Sequence, residues 1–160
     1  MTTQAVLDAL RKHPFVQGFE PPQIEKLAAT AKAVRFEPDR IICREGDECS
    51  EFYLIVSGRV GIEIAAPNRT FRVETLADGD EFGWSAILAG KGKHFQARVL
   101  ALPVDALAFE GPALLALCRE DPALGLNLMI ALLGVVSERL QFTRLQVLDT
   151  YWPAAKMAGA

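Results

Sequence analysis

Between Ala33 and Phe109 the chain is cut into short runs rich in Val, Ile, Phe and Tyr, separated every ten residues or so by Gly, Asp, Pro or Asn. That spacing leaves no room for the helices of a βαβ fold and points to an antiparallel sandwich or roll. The predicted strands centre on Ile41–Ile42, Phe52–Val56, Val60–Ile64, Phe71–Leu76, Gln96–Ala101 and Ala106–Phe109. Glu45-Gly46-Asp47 and Asp78-Gly79-Asp80 read as acidic tight turns in which glycine supplies positive φ, and Ser57-Gly58-Arg59 as a hairpin turn.

Helical signals lie on both sides. Ala5–Lys12 is predicted helical and ends at His13-Pro14-Phe15. A second short helix takes Pro22 in its first turn and puts Ile24, Leu27 and Ala28 on one face. Gly111-Pro112 opens a short helix reaching Cys118. Asp121 then serves as N-cap and Pro122 as first residue of a long helix running to about Asp149. The expectation is a single domain over residues 1–150, with a β-roll at about 33–110, the long helix at about 121–149 and a tail at 151–160. A chain of 160 residues suffices for one sizeable core.

Composition narrows the function classes. Hydrophobic residues make up 51% and charged residues 23%, as in ordinary globular proteins. Net charge is −3 with no run of Lys or Arg, so direct nucleic-acid binding is not expected. The longest apolar runs fall short of the roughly 20 residues needed to cross a bilayer, and Met1-Thr2-Thr3-Gln4 lacks the order of a signal peptide. No membrane partner is expected. Cys43, Cys49 and Cys118 show no zinc-ligand spacing, and their odd number reads as reduced thiols in a cytoplasm. Ser57 and Ser85 sit in no nucleophile elbow, and no Walker loop or His-rich motif is present, so neither catalysis nor a metal is expected. One stretch breaks the sheet pattern: Trp84–Leu88 reads as helical, and Ala89-Gly90-Lys91-Gly92-Lys93 follows as a flexible basic loop. A helical turn set between two strands marks a place where something binds.

Three motifs resemble the cyclic-nucleotide-binding domain shared by catabolite activator protein, Fnr-type regulators and protein kinase A regulatory subunits. They are Ile41-Ile42-Cys43-Arg44-Glu45-Gly46-Asp47 with Phe52–Val60, then Leu76–Gly83, then Ala97–Ala101. The resemblance runs from about Leu7 to Leu148. It implies a mainly β protein with flanking helices, a double-stranded β-helix (jelly-roll) and a long C-terminal dimerisation helix. It also implies a ligand cassette at Phe82, Gly83, Trp84, Ser85, His94, Phe95 and Gln96. Two departures matter. Where relatives that bind cyclic nucleotides place a glutamate for the ribose, this chain has Trp84. Where they place an arginine for the cyclic phosphate, it has Phe95, which has no donor to replace a guanidinium. No resident cofactor is expected, and ordinary cyclic AMP or cyclic GMP is disfavoured. Gly83 either lends a helix N-terminus to an anion or ends a strand tightly; Trp84 either stacks on a ligand or fills the ribose site. His94 and Gln96 are the polar candidates, while Arg98 is expected on the solvent face of its strand.

The long helix carries two apolar stripes. Leu126, Met129, Leu133, Val136 and Leu140 recur at spacings of three and four, and Leu124, Leu128, Leu132, Val135 and Phe142 form the other. One stripe can pack on the roll; the other then needs a partner, which the resemblance makes a homodimer. In regulators of this family a helix-turn-helix follows the helix, and residues 150–160 are too few for one. The expected function is a non-catalytic sensory or regulatory module that takes a small anionic or nucleotide-like ligand and signals through its dimer helix to another protein. The alternatives are a ligand-free interaction module with a filled pocket, or a conventional cyclic-nucleotide receptor.

Overall fold

The computed structural model describes residues 2–44, 46–47, 49–87 and 95–151. Helix α1 (Thr3–Lys12), a 3₁₀ turn (Pro14–Val16) and α2 (Pro21–Thr30) precede eight strands: β1 (Lys32–Phe36), β2 (Ile41–Cys43), β3 (Glu51–Ser57), β4 (Val60–Ala66), β5 (Arg69–Leu76), β6 (Glu81–Phe82), β7 (Gln96–Val99) and β8 (Val104–Glu110). A 3₁₀ turn at Trp84–Ala86 follows β6, and α3 (Gly111–Glu120) and α4 (Pro122–Tyr151) follow β8. The strands form two antiparallel sheets ordered β1-β8-β3-β6 and β2-β7-β4-β5. This is the expected roll with flanking helices and a long C-terminal helix. Strands β1 and β6, absent from the sequence reading, form the two edges of the first sheet.

Side-chain alternation on β3 and β8 divides the interior in two. Phe52, Leu54, Leu107 and Phe109 point to the helices, where they meet Leu10, Phe15, Leu27, Leu114, Leu124 and Leu128. Tyr53, Ile55, Ala106 and Ala108 point into the roll and meet Val60, Ile62, Leu76, Phe82, Ala97 and Val99. The first sheet is therefore the middle layer of three, which explains why its central strands read as unbroken apolar runs rather than alternating ones.

Asp121 caps α4 as expected, accepting from Leu124 N at 3.1 Å, and Lys26 of α2 holds its other oxygen at 2.5 Å. Leu124, Leu128 and Leu132 are buried, and Val135 packs beside them. Phe142, placed in the same stripe by sequence, is instead 65% exposed, because the helix has by then left the core. The apolar-run expectation also needs correction. Pro122–Asp149, with a peak mean hydropathy of 1.6, is long and apolar enough to cross a membrane by length and composition alone.

His13 joins the helices to the roll. Its Nδ1 accepts from Phe15 N at 3.2 Å, so the proton of the neutral ring sits on Nε2 and donates to the Ile55 carbonyl at 3.2 Å. Burial holds its pKa below the ordinary histidine value, against the opposing pull of the Ile55 and Asp80 contacts. Because the folded state resists protonation, its contribution to stability is complete above the unfolded histidine value and declines as pH falls through it. The stability margin of the native protein over His13→Asn is expected to shrink between about pH 7.5 and pH 5.5. Thermal melts across that range test this, and a margin independent of pH refutes the neutral buried ring.

Candidate functional site

The cassette region starts from a tightly tied turn. Asp78 Oδ1 accepts from Gly58 N at 2.8 Å, and Asp80 Oδ2 from Ala77 N at 2.7 Å. These two carboxylates are occupied in fixing the chain's direction into β6. Gly83 then adopts φ +84° and ψ 12°, and a Cβ there would press into the Glu51 carbonyl oxygen and lie 3.4 Å from Phe52 Cα. Only glycine satisfies both the left-handed backbone and that approach. The expected helix at Trp84–Leu88 is, among the described residues, a single 3₁₀ turn over Trp84–Ala86. The strand-ending role of Gly83 has these contacts behind it.

The expected site residues face different regions. Phe82 is buried inside the roll, stacked on Tyr53 with centroids 4.7 Å apart and planes 15° apart. Phe95 packs against the same roll cluster. Phe36 meets Tyr53 edge-on at 5.9 Å, so an aromatic column lines the roll. The Tyr53 hydroxyl donates to Glu51 at 2.5 Å, and its pKa is raised by burial and by that carboxylate. Trp84 turns the other way and packs with the helix-side core, as does the buried Ile87. Ser85 Oγ is buried and finds no hydrogen-bond partner among the described residues. His94, with the basic loop at Lys91 and Lys93, lies outside the described residues.

Gln96 corrects the sequence reading. Expected as a polar group for the pocket, it donates instead to Glu63 Oε2 at 2.8 Å. Arg98 Nε reaches the same oxygen at 3.0 Å and Arg72 reaches Oε1 at 3.2 Å. Glu63 is 5% exposed; burial pushes its carboxyl up, but the donors from Gln96, Arg98 and Arg72 outweigh it and hold it below the ordinary range. The parity of β7 explains the result. Ala97 and Val99 are fully buried, so Gln96 and Arg98 share the opposite face.

Sequence reasoning missed Arg139. It leaves α4 to bond both the carbonyl and the carboxylate of Glu81, the latter at 3.0 Å, and lies 3.7 Å from Glu74. Glu81 is 8% exposed, and burial raises its pKa although the Arg139 charge opposes this. Beside this clamp a cleft of about 1270 Å³ opens between the roll and α4, with Val73, Glu74, Glu81, Val135, Arg139 and Phe142 in its walls.

The model of the cyclic nucleotide-binding domain matches residues 33–121, more than half of the chain. The chain belongs to the cyclic nucleotide-binding domain family. Among curated proteins it is 33% identical over 86 residues to the cyclic nucleotide-gated channel cone photoreceptor subunit alpha of Gallus gallus, covering 54% of this chain but 11% of the channel. The chain thus spans about a ninth of the length of such relatives. Among solved structures it resembles a cyclic nucleotide-binding domain from Methylobacillus flagellatus (TM-score 0.79, 21% identity, 92% of this chain and 83% of that one). It also resembles the catabolite activator protein of Thermus thermophilus (TM-score 0.69, 21% identity, 84% and 61%). At these identities the two structures speak for the fold, which is the family's β-roll.

Gly83→Ala should cost more than the left-handed backbone alone explains. Gly18 has φ +93° with nothing within 4 Å of a Cβ, so Gly18→Ala isolates the backbone cost, about 1–2 kcal/mol. Gly83→Ala is expected to lose about 1–3 kcal/mol beyond that. Equal losses in urea unfolding would show that the approach to β3 is not tight.

Proposed function

We propose that this cyclic nucleotide-binding domain is a non-catalytic regulatory module of the cytoplasm, whose ligand is a small anion or nucleotide-like molecule rather than ordinary cyclic AMP or cyclic GMP. The observation that carries this reading is the clamp of Arg139 on Glu81. Among the described residues, the buried charged and polar side chains are His13, Glu63 and Glu81, so the roll interior offers an aromatic column and no guanidinium. Among the described residues, Arg139 places a cation on the helix, in the wall of an open cleft. An anion in that cleft competes with Glu81 and Glu74 for Arg139 and so loosens α4 from the roll. The arrangement supplies a differential contact, which any ligand-driven shift requires.

Connection to the output runs through α3. The Gly111 N–H donates to Ser50 O at 2.8 Å, and a Cβ on Gly111 would press into the Ala86 carbonyl. Movement of the cassette turn is therefore passed to α3 and on to α4. Along α4, Leu126 is 62%, Met129 37%, Leu133 69% and Leu140 48% exposed, with Val136 half-buried. A second copy covering this stripe gives the homodimer, and another protein reads its geometry.

Calorimetric titration with cyclic AMP and cyclic GMP is expected to give no heat of binding at micromolar concentration. Phe95→Arg, which puts a guanidinium against the roll cluster, is expected to gain affinity for them. Micromolar binding by the unaltered chain would overturn the ligand reading and make it a conventional cyclic-nucleotide receptor. Leu133→Glu is expected to halve the mass seen by light scattering; an unchanged mass would remove α4 from the dimer interface.

A further inference from the structure

The reading of the cysteines as separate thiols does not survive the fold. Cys43 and Cys49 are joined as a disulfide with their Cα atoms 6.1 Å apart, while Cys118 on α3 is free. Cys43 ends β2 at 4% exposure, in the cluster that contains Tyr53, Phe82 and Ala97 and against which Phe95 packs. Through β2 it is registered on Ala97 of β7, the strand leaving the cassette. Cys49 is half-buried and lies two residues before Glu51, whose carbonyl Gly83 approaches. The pair therefore ties the strand that flanks the cassette's exit to the segment that flanks its entry.

Three features make the bond exchangeable. Cys49 is reachable from solvent, as are Arg44, Gly46 and Asp47 in the loop between the two cysteines. Strand β2 has only three residues, with an irregular register between Ile41 and Cys43, so it opens locally at small cost. Cys118 is no competitor, because it packs against the helix-side cluster while Cys43 and Cys49 belong to the roll cluster, and burial pushes its thiol up. In a reducing cytoplasm a disulfide persists only as a transient or sensing bond.

We propose that Cys43 and Cys49 are a reversible dithiol–disulfide site, by which a thiol–disulfide exchange partner sets how firmly β2 and β7 hold the cassette. A thiolate of the partner dithiol attacks Cys49 Sγ, the bond to Cys43 breaks, and Cys43 leaves with the electron pair and takes a proton. The partner's second thiol then loses its proton and attacks its own sulfur in the mixed disulfide, releasing Cys49 as a thiolate that is protonated. Two electrons and two protons pass to the pair, and the partner departs as a disulfide. The site acts on the roll whatever ligand the cassette takes.

Dithiothreitol and oxidised glutathione serve as probes. After equilibration with oxidised glutathione, removal of the excess and unfolding in iodoacetamide, intact mass spectrometry should show one carbamidomethyl group, on Cys118. After dithiothreitol, all three cysteines should be modified. In the folded protein, dithiothreitol is expected to speed amide exchange at Ile41–Cys43 and Gln96–Arg98 by at least about tenfold, while Leu54 and Leu107 stay protected. Cys118→Ser should keep this response, and Cys43→Ser with Cys49→Ser should lose it. Three modified cysteines without reductant, a bridge to Cys118, or exchange unchanged by reduction would each overturn the proposal. The alkylation count needs no variant, so a double substitution that failed to fold would leave it decisive.

Discussion

Strands β3 and β8 have water on neither face, and the placing of the cassette depends on that double burial. Each large apolar side chain withdrawn from water is worth about 1.5–3 kcal/mol. Alternate residues of one strand serve two cores, so a slip of one position would send Phe52 and Leu54 into the roll and Tyr53 and Ile55 to the helices. The register is thus held from both sides at once. The start of β3 then becomes a fixed point. Gly83 rests on the backbone at Glu51 and Phe52, and Gly111 hangs from the carbonyl of Ser50. The turn that enters the cassette and the helix that leaves the roll share one support.

Much of this was legible in the sequence, where regular physics controls it. The spacing of Gly and Asp between apolar runs marked the turns, and the spacings of three and four on α4 separated its buried stripe from its exposed one. Leu124, Leu128 and Leu132 lie inside and Leu126 and Leu133 outside; periodicity divided the two stripes, and packing on the roll decided which is buried. What escaped depends on contacts distant in sequence. Strand β1 carries too few large residues to stand out, and β6 is only two residues long. The outward turn of Gln96 follows from the alternation that set Arg98 on the solvent face, but its partner Glu63 lies on another strand. Six positions of separation between Cys43 and Cys49 suggested nothing until β2 and the segment before β3 were brought together. Likewise Arg139 is one of two arginines on its helix, and its partners Glu74 and Glu81 lie about sixty residues earlier.

The departures at Trp84 and Phe95 have different structural meanings. Phe95 extends an aromatic lining already set by Phe36, Tyr53 and Phe82, so the roll interior is apolar there among the described residues. Trp84 does not close that interior; it faces the helices and packs with their core. A substitution at Phe95 therefore alters the lining of the roll, whereas one at Trp84 alters the core shared with the helices. The outer face of the second sheet is fixed separately, by Glu63 with its three donors.

The contact between Gly111 and the Ala86 carbonyl joins two backbones with no side chain between them. A joint of that kind has no rotamers in which a displacement can be absorbed. A helix of 30 residues is about 45 Å long, so a tilt of about 5° at its base carries the far end about 4 Å. On the regulatory reading proposed above, shifts at the 3₁₀ turn too small to alter a pocket's shape would be magnified at the far end of α4, and the output would lie in the angle of a helix rather than in melting.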